Sequence, residues 1–178
     1  MSFSKLSPAI IVDQALQLFY ADGLQNVTVR KVAASLNVNA ASLYWHVRDR
    51  DALYGLLAER IFRSCLDAMG PAATWQDWLR AFGLAIWKAQ ISHPDIRTLI
   101  LTAQGEEAKV RATRDEITAA LEKLGLARGE ADTAQRSIQA LVTGWSVLNL
   151  HAIDAEETSF RRSLDVLIEG WETELARG

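Results

Sequence analysis

The segment Val29–Val47 is the tightest constraint in this chain. It holds two helical stretches of about two turns each, Val29–Leu36 and Ala40–His46, with only Asn37, Val38 and Asn39 between them. So short a connection forces the two helices to pack on each other. Val32, Ala33, Leu36, Val38, Leu43 and Val47 recur at the spacing that puts them on the faces that meet. Ala33 is small where the helices would cross. Asn37 stands where a tight turn favours glycine, and asparagine tolerates the left-handed backbone region, so the turn survives. Two structures share this spacing: a helix-turn-helix that reads nucleic acid, and an αα-hairpin used only for packing.

The second helix separates them by what it leaves outside. With Leu43 and Val47 turned inward, Ala40, Ala41, Ser42, Tyr44, Trp45 and His46 face outward. Two aromatic rings and an imidazole in solvent make a poor surface for a packing hairpin. Against DNA they have work to do: Tyr44 and His46 donate to phosphates, while Ala41, Ser42 and the Trp45 ring meet base edges or thymine methyls. Arg30 and Lys31 lie in the first turn of the preceding helix, with Arg30 in reach of a guanine edge. Asp49-Arg50 opens the next helix, whose free amides are expected to favour a phosphate. Burial of Trp45 on its own helix is the competing reading for that residue.

Helix signals fill the rest of the chain, and strand patterns are nearly absent. Ser7-Pro8 is a cap followed by proline at the first helical position. Gly23 and Gly125 are placed for left-handed helix ends, each followed by leucine. Further helices are expected from Asp49 or Arg50 to Met69, Trp75 to Ser92, Pro94 to Thr102, Glu106 to Leu124, Glu130 to His151 and Glu157 to Ala176. Thr74 and Asp77 form a capping pair for the second of these. The expected fold is all-α with about nine helices: a three-helix head (1–48) carrying the helix-turn-helix, and a helical body (49–178) for ligand binding and dimerisation. The six Lys/Arg and five Asp/Glu of residues 1–60, against 13 and 17 in the remainder, allow DNA binding by the head alone.

The stretch Thr28–Ile61 resembles the DNA-binding head of the tetracycline-repressor (TetR) family. Leu43-Tyr44-Trp45-His46-Val47, followed by Arg50 and Leu53, carries the likeness to the tetracycline branch. It is strong over residues 8–62 and weaker over 75–95, through Trp75–Arg80 and Ser92-His93. The resemblance implies an all-α homodimer, a repressor released from a palindromic double-stranded operator by a small-molecule effector. By position it assigns DNA contacts to Thr28, Arg30, Ser42, Tyr44, Trp45, His46 and Arg50. Ala40 and Ala41 depart from the larger base-reading residues of that branch, which points to a different operator. Its tetracycline-binding members carry a metal-supporting histidine that is missing from Leu99–Ala103 here, so neither tetracycline nor a metal is expected.

In the body, Trp78, Phe82, Ile86 and Trp87 share one helix with Trp75. They are either core or, with Phe62, Leu101 and Trp145, the wall of an apolar pocket to which Gln104, Asn149 and His151 would bring polar groups. The effector is therefore expected to be small and largely apolar or aromatic. Ile138, Val142, Phe160, Leu164, Leu167, Ile168, Trp171 and Leu175 form apolar stripes on the last two helices. Nothing after them covers an outer face, so they are expected at the dimer interface.

The charge-free run Ser137–Ile153 is too short and too polar to cross a membrane. The first residues show no signal-peptide pattern and there is a single cysteine, Cys65, so a cytoplasmic protein is expected. His46, His93 and His151 form no metal-ligand pair, and no nucleophile-base set or carboxylate pair is visible. No cofactor and no enzyme activity are expected. The remaining alternatives are a helical protein-interaction adaptor or a small-molecule-binding enzyme.

Overall fold

Helix α1 (Pro8–Asp22) starts where the extended Ser7 turns its hydroxyl back to accept the Ile10 amide. The computed structural model describes residues 6–102, 107–148 and 153–177, with side chains over 6–99, 111–148 and 157–177. The helices that follow are α2 (Val29–Ser35), α3 (Ala40–Tyr44), α4 (Arg50–Asp67), α5 (Trp75–Ser92), α6 (Asp95–Thr102), α7 (Glu107–Lys123), α8 (Arg128–Leu148) and α9 (Ile153–Leu175). No strand occurs among the described residues. Asn149 and His151, like the side chains of Leu101 and Gln104, lie outside what is described.

Several boundaries differ from the sequence reading, each for a local reason. Gly23 has φ 79° as expected of a helix end, but its ψ of 168° is extended rather than left-handed helical. That conformation is essentially restricted to glycine, and it turns the chain into a short 3-10 segment, Leu24–Asn26. Gly125 does close α7 in the expected way. The Leu126 amide bonds the Leu121 carbonyl and the Gly125 amide bonds that of Glu122, with Leu121 and Leu126 both buried. Helix α8 begins at Arg128, two residues early, because the Glu130 carboxylate reaches back to the Ala127 amide at 3.0 Å. Helix α9 begins at Ile153 rather than Glu157, and Glu157 pairs one turn on with Arg161.

The chain divides into two compact units. The first holds residues up to 61 together with 98–107. It continues past the 48/49 boundary of the helix-turn-helix because α4 buries Leu53, Tyr54, Leu57 and Ile61. The Tyr54 hydroxyl donates to the Leu24 carbonyl at 2.9 Å, and Arg60 pairs with Asp13 of α1 at 3.3 Å.

The second unit, 62–97 and 108–178, is organised on α5. Its core joins Leu79, Phe82, Ile86 and Trp87 of α5 to Ile117 and Leu121 of α7, Ile138 and Val142 of α8, and Phe160, Leu164 and Ile168 of α9. Trp87 stacks on Phe160 with ring centroids 4.9 Å apart, and Trp78 stacks on Phe82 at 5.1 Å. Gly83 lets the helices close up: a Cβ there would meet both Leu164 methyls at 3.0 Å and Ile138 at 3.1 Å.

Candidate nucleic-acid interface

The turn between α2 and α3 is built from the residues that suggested it. Asn37 is the one non-glycine residue with positive φ (54°) among the described residues. The Val38 amide reaches the Ala33 carbonyl at 3.0 Å and the Asn37 amide that of Ala34 at 3.1 Å. This is the two-bond helix end that normally takes glycine. Asn39 then caps α3 by accepting the Ala41 amide at 2.9 Å, as Thr28 caps α2 by accepting that of Lys31 at 3.1 Å. Thr28, expected as a DNA contact, thus already holds the start of α2.

Helix α3 is shorter than expected. The His46 amide bonds the Leu43 carbonyl, only three residues back, and the helix ends at Tyr44. The inner face is held by Val32, Ala33, Leu43 and Val47, all nearly inaccessible, with Val27 and Val29 added from the approach to α2. Val38, expected in this core, is over a third exposed. As the residue just past the helix end, it turns outward with the chain.

Ala41, Ser42, Tyr44, Trp45 and His46 form one exposed surface. Trp45 is 89% exposed, so it does not pack on its own helix, and Tyr44 is half exposed. Ser42, Tyr44 and His46 make no side-chain hydrogen bond among the described residues. An apolar ring held in water without a covering neighbour costs free energy, which a partner surface recovers.

The cations divide into two groups. Arg30 is exposed and unpaired among the described residues. Lys31, by contrast, donates its Nζ to the Asn26 amide oxygen, and Asn26 in turn donates to the Asp22 carbonyl. Arg50 donates from Nε to the Tyr54 hydroxyl at 2.8 Å and lies over that ring. Both are tied into the head. Arg48, not singled out from the sequence, is 87% exposed and pairs at 2.9 Å with Asp49. The only sequence signal for it was its charge beside the second helix.

The anion seat expected at the start of α4 is already filled. The Asp49 carboxylate accepts the Ala52 amide at 2.8 Å. That bond, and then the neighbouring Arg48 guanidinium, holds the carboxyl below its usual range. A phosphate arriving there would meet a charge of its own sign.

The other expected sites are partly redistributed. Phe82, Ile86 and Trp87 are core residues, and Phe62, Trp78 and Trp145 pack half-buried on the same core. Ile138, Val142, Phe160, Leu164 and Ile168, expected at a dimer face, are buried within this chain's own body. They are the inward halves of helices that are apolar on two sides. Leu167, Trp171 and Leu175 remain half-buried, and Val166, not anticipated, is 60% exposed. Among the described residues there is no cluster of three or more His, Cys, Asp or Glu placed to hold a metal, and no helix long and apolar enough to cross a membrane.

Comparison with known proteins follows the same outline. The family model for bacterial regulatory proteins of the tetR family matches residues 11–57. The class E tetracycline repressor of Escherichia coli is 35% identical over 94 residues, 52% of this chain and 44% of that protein. The chain thus spans about half the length of several curated relatives it matches. The class A tetracycline repressor from transposon 1721 in E. coli is 30% identical over 156 residues, 86% of this chain and 71% of that protein. A crystal structure of a variant TetR from Acinetobacter baumannii AYE in complex with minocycline superposes with a TM-score of 0.76 at 26% identity, covering 95% of this chain and 98% of that one. The head with its asparagine-closed turn, the helical body and these similarities lead to one assignment: the chain belongs to the tetR family of bacterial regulatory proteins.

Proposed function

We propose that the protein is a transcriptional repressor that binds a palindromic operator as a homodimer, reads it with α3, and leaves it when a small molecule binds the body. One observation carries this reading. Tyr44, Trp45 and His46 stand exposed between the buried Leu43 and Val47, in a turn geometry that fixes α3 against α2. Base and phosphate contacts fall to Arg30, Ala41, Ser42, Tyr44, Trp45 and His46. Lys31, Arg50 and Thr28 contribute once their present partners yield, and Arg48 joins them as a phosphate contact. The test is fluorescence anisotropy with promoter DNA from the flanking genome. Tyr44→Ala should weaken binding about fivefold or more, the loss of a contact worth about 1–3 kcal/mol, with an unchanged oligomeric state. Unchanged affinity would remove α3 from the interface.

The second copy is assigned to the outer face of α9. Ser163, Val166, Leu167, Gly170, Trp171 and Glu174 recur at helical spacing and, with Ser137 of α8, line an open groove of about 480 Å³. Val166, Leu167 and Trp171 make the lining largely apolar, and Ser163 and Gly170 are small, a combination that admits a neighbouring helix. Val166→Glu places a charge on an exposed side chain and leaves the chain's own core intact. Sedimentation should then show a monomer; a monomeric unmodified chain at micromolar concentration would refute the assignment. The effector is read as apolar or aromatic rather than a tetracycline, since Leu99–Ala103 carries no histidine. Tetracycline with magnesium should leave operator binding unchanged.

A further inference from the structure

The body has a cleft at the edge of its core that shares no residue with the outer α9 groove. It measures about 220 Å³ and lies where the last turn of α4, the start of α5 and the middle of α7 converge. Leu66, Met69, Trp78, Ile117 and Ala120 supply its apolar lining, and Trp78 is held in place by its stack on Phe82. A cavity of roughly 150 Å³ takes a single benzene ring, so this one has room for a ring with a short arm.

Three charged groups complete the lining: Arg63, Asp67 and Glu116. Arg63 Nη1 donates to both carboxylate oxygens of Glu116 at 2.6 Å. That pair neutralises itself. Asp67 has no ion pair or hydrogen bond among the described residues. The cleft therefore presents an apolar slot with one uncompensated negative charge at its edge. A neutral ligand leaves that charge unanswered. An anionic ligand would have to displace Glu116 from Arg63 and then sit near two carboxylates. A cation answers Asp67 and leaves the existing pair whole.

We infer that this cleft takes a small aromatic monocation, one ring with a short ammonium-bearing arm, the ring among Leu66, Met69, Trp78, Ile117 and Ala120 and the ammonium on Asp67. This deepens the regulator reading and rests on it only in making the occupant an effector. The binding claim stands separately. Because Asp67 is exposed, its charge discriminates modestly, by about two- to fivefold, and the ring supplies most of the affinity.

The test uses the full chain without DNA, by calorimetry, with three probes of similar shape: 2-phenylethylammonium, 2-phenylethanol and phenylacetate. The ammonium should bind tightest and phenylacetate weakest. Asp67→Asn should bring the ammonium down to the level of the alcohol while the alcohol itself binds as before. Ala120→Trp, which fills the slot, should abolish all three. Phenylacetate binding tightest, no saturable binding by any probe, or an ammonium preference unchanged in Asp67→Asn would each overturn the inference. These titrations involve no operator. A chain that binds the ammonium but no promoter DNA would leave the cleft standing and sink the regulator reading, and the reverse result would do the opposite.

Discussion

The head and the body hold their helices by different means. In the head, the helix starts and the turn are set by short-range hydrogen bonds laid over a small buried core: Thr28 to the Lys31 amide, Asn39 to the Ala41 amide, Asp49 to the Ala52 amide, and the two-bond turn at Asn37. Each spans five residues or fewer. In the body, order comes from side chains far apart in sequence, as in the Trp87–Phe160 stack, the Phe62–Phe82 edge contact and the close approach at Gly83. The head can thus leave Trp45 and Tyr44 in solvent without losing its shape. The body turns most of its large aromatics inward. A surface that must fit a partner is best set by bonds that do not depend on it, whereas a packed core depends on every member.

The contrast can be broken most forcefully at Phe82. It is fully buried and touches two aromatic rings, so Phe82→Ala should cost about 3–5 kcal/mol in chemical denaturation. A loss under about 1 kcal/mol would mean that Phe82 lines a collapsible pocket rather than a packed core. Trp45→Ala should change stability by less than about 0.5 kcal/mol while reducing operator affinity.

Gly83→Ala probes the α5 crossing. The added methyl meets Leu164 and Ile138 at 3.0–3.1 Å, and overpacking of this kind should cost about 1–3 kcal/mol. A neutral result would show that the Leu164 side chain shifts freely and that the body is softer than its packing implies. In the head, Arg30→Ala should leave stability unchanged but weaken operator binding by about 1–3 kcal/mol and relax specificity at one position in each half-site. A uniform loss over all sequences would make Arg30 a phosphate contact.

Asn37 tests whether the head depends on its local turn. Asn37→Ala puts into the left-handed region a residue that tolerates it less well than asparagine and should destabilise by about 1 kcal/mol. Asn37→Gly should be neutral or slightly stabilising, and equal effects of the two substitutions would remove the turn from the account. Cys65 offers a check on the body that needs no substitution. Burial pushes its thiol up to about 11 from an ordinary 9.0. Alkylation at pH 8 should run about a hundredfold slower than for a free thiol. The raised value also fixes the sign of a pH effect. Its contribution to stability is complete below pH 9 and is lost as the pH rises toward 11, because the unfolded chain ionises first. Stability that rises over that interval would place Cys65 in a polar setting.

By itself, the sequence determined the local chemistry of this protein. The Ser7 and Thr74 caps, the left-handed Asn37, the glycine-closed end of α7 and the exposed Tyr44-Trp45-His46 could all be read because each depends on residues within about one helical turn. Spacing could not decide among partners. Helices α8 and α9 are apolar on two sides, and periodicity looks the same whether a stripe faces its own core or another molecule. The tertiary structure put Phe160, Leu164 and Ile168 in the core and left Val166 outside. It bound Lys31 to Asn26 and Arg50 to Tyr54, seated Asp49 where a phosphate was expected, and brought Leu66, Trp78 and Ile117 around a cleft. Those outcomes depend on contacts between residues distant along the chain or on which of several nearby groups wins a given donor, and a one-dimensional pattern carries neither.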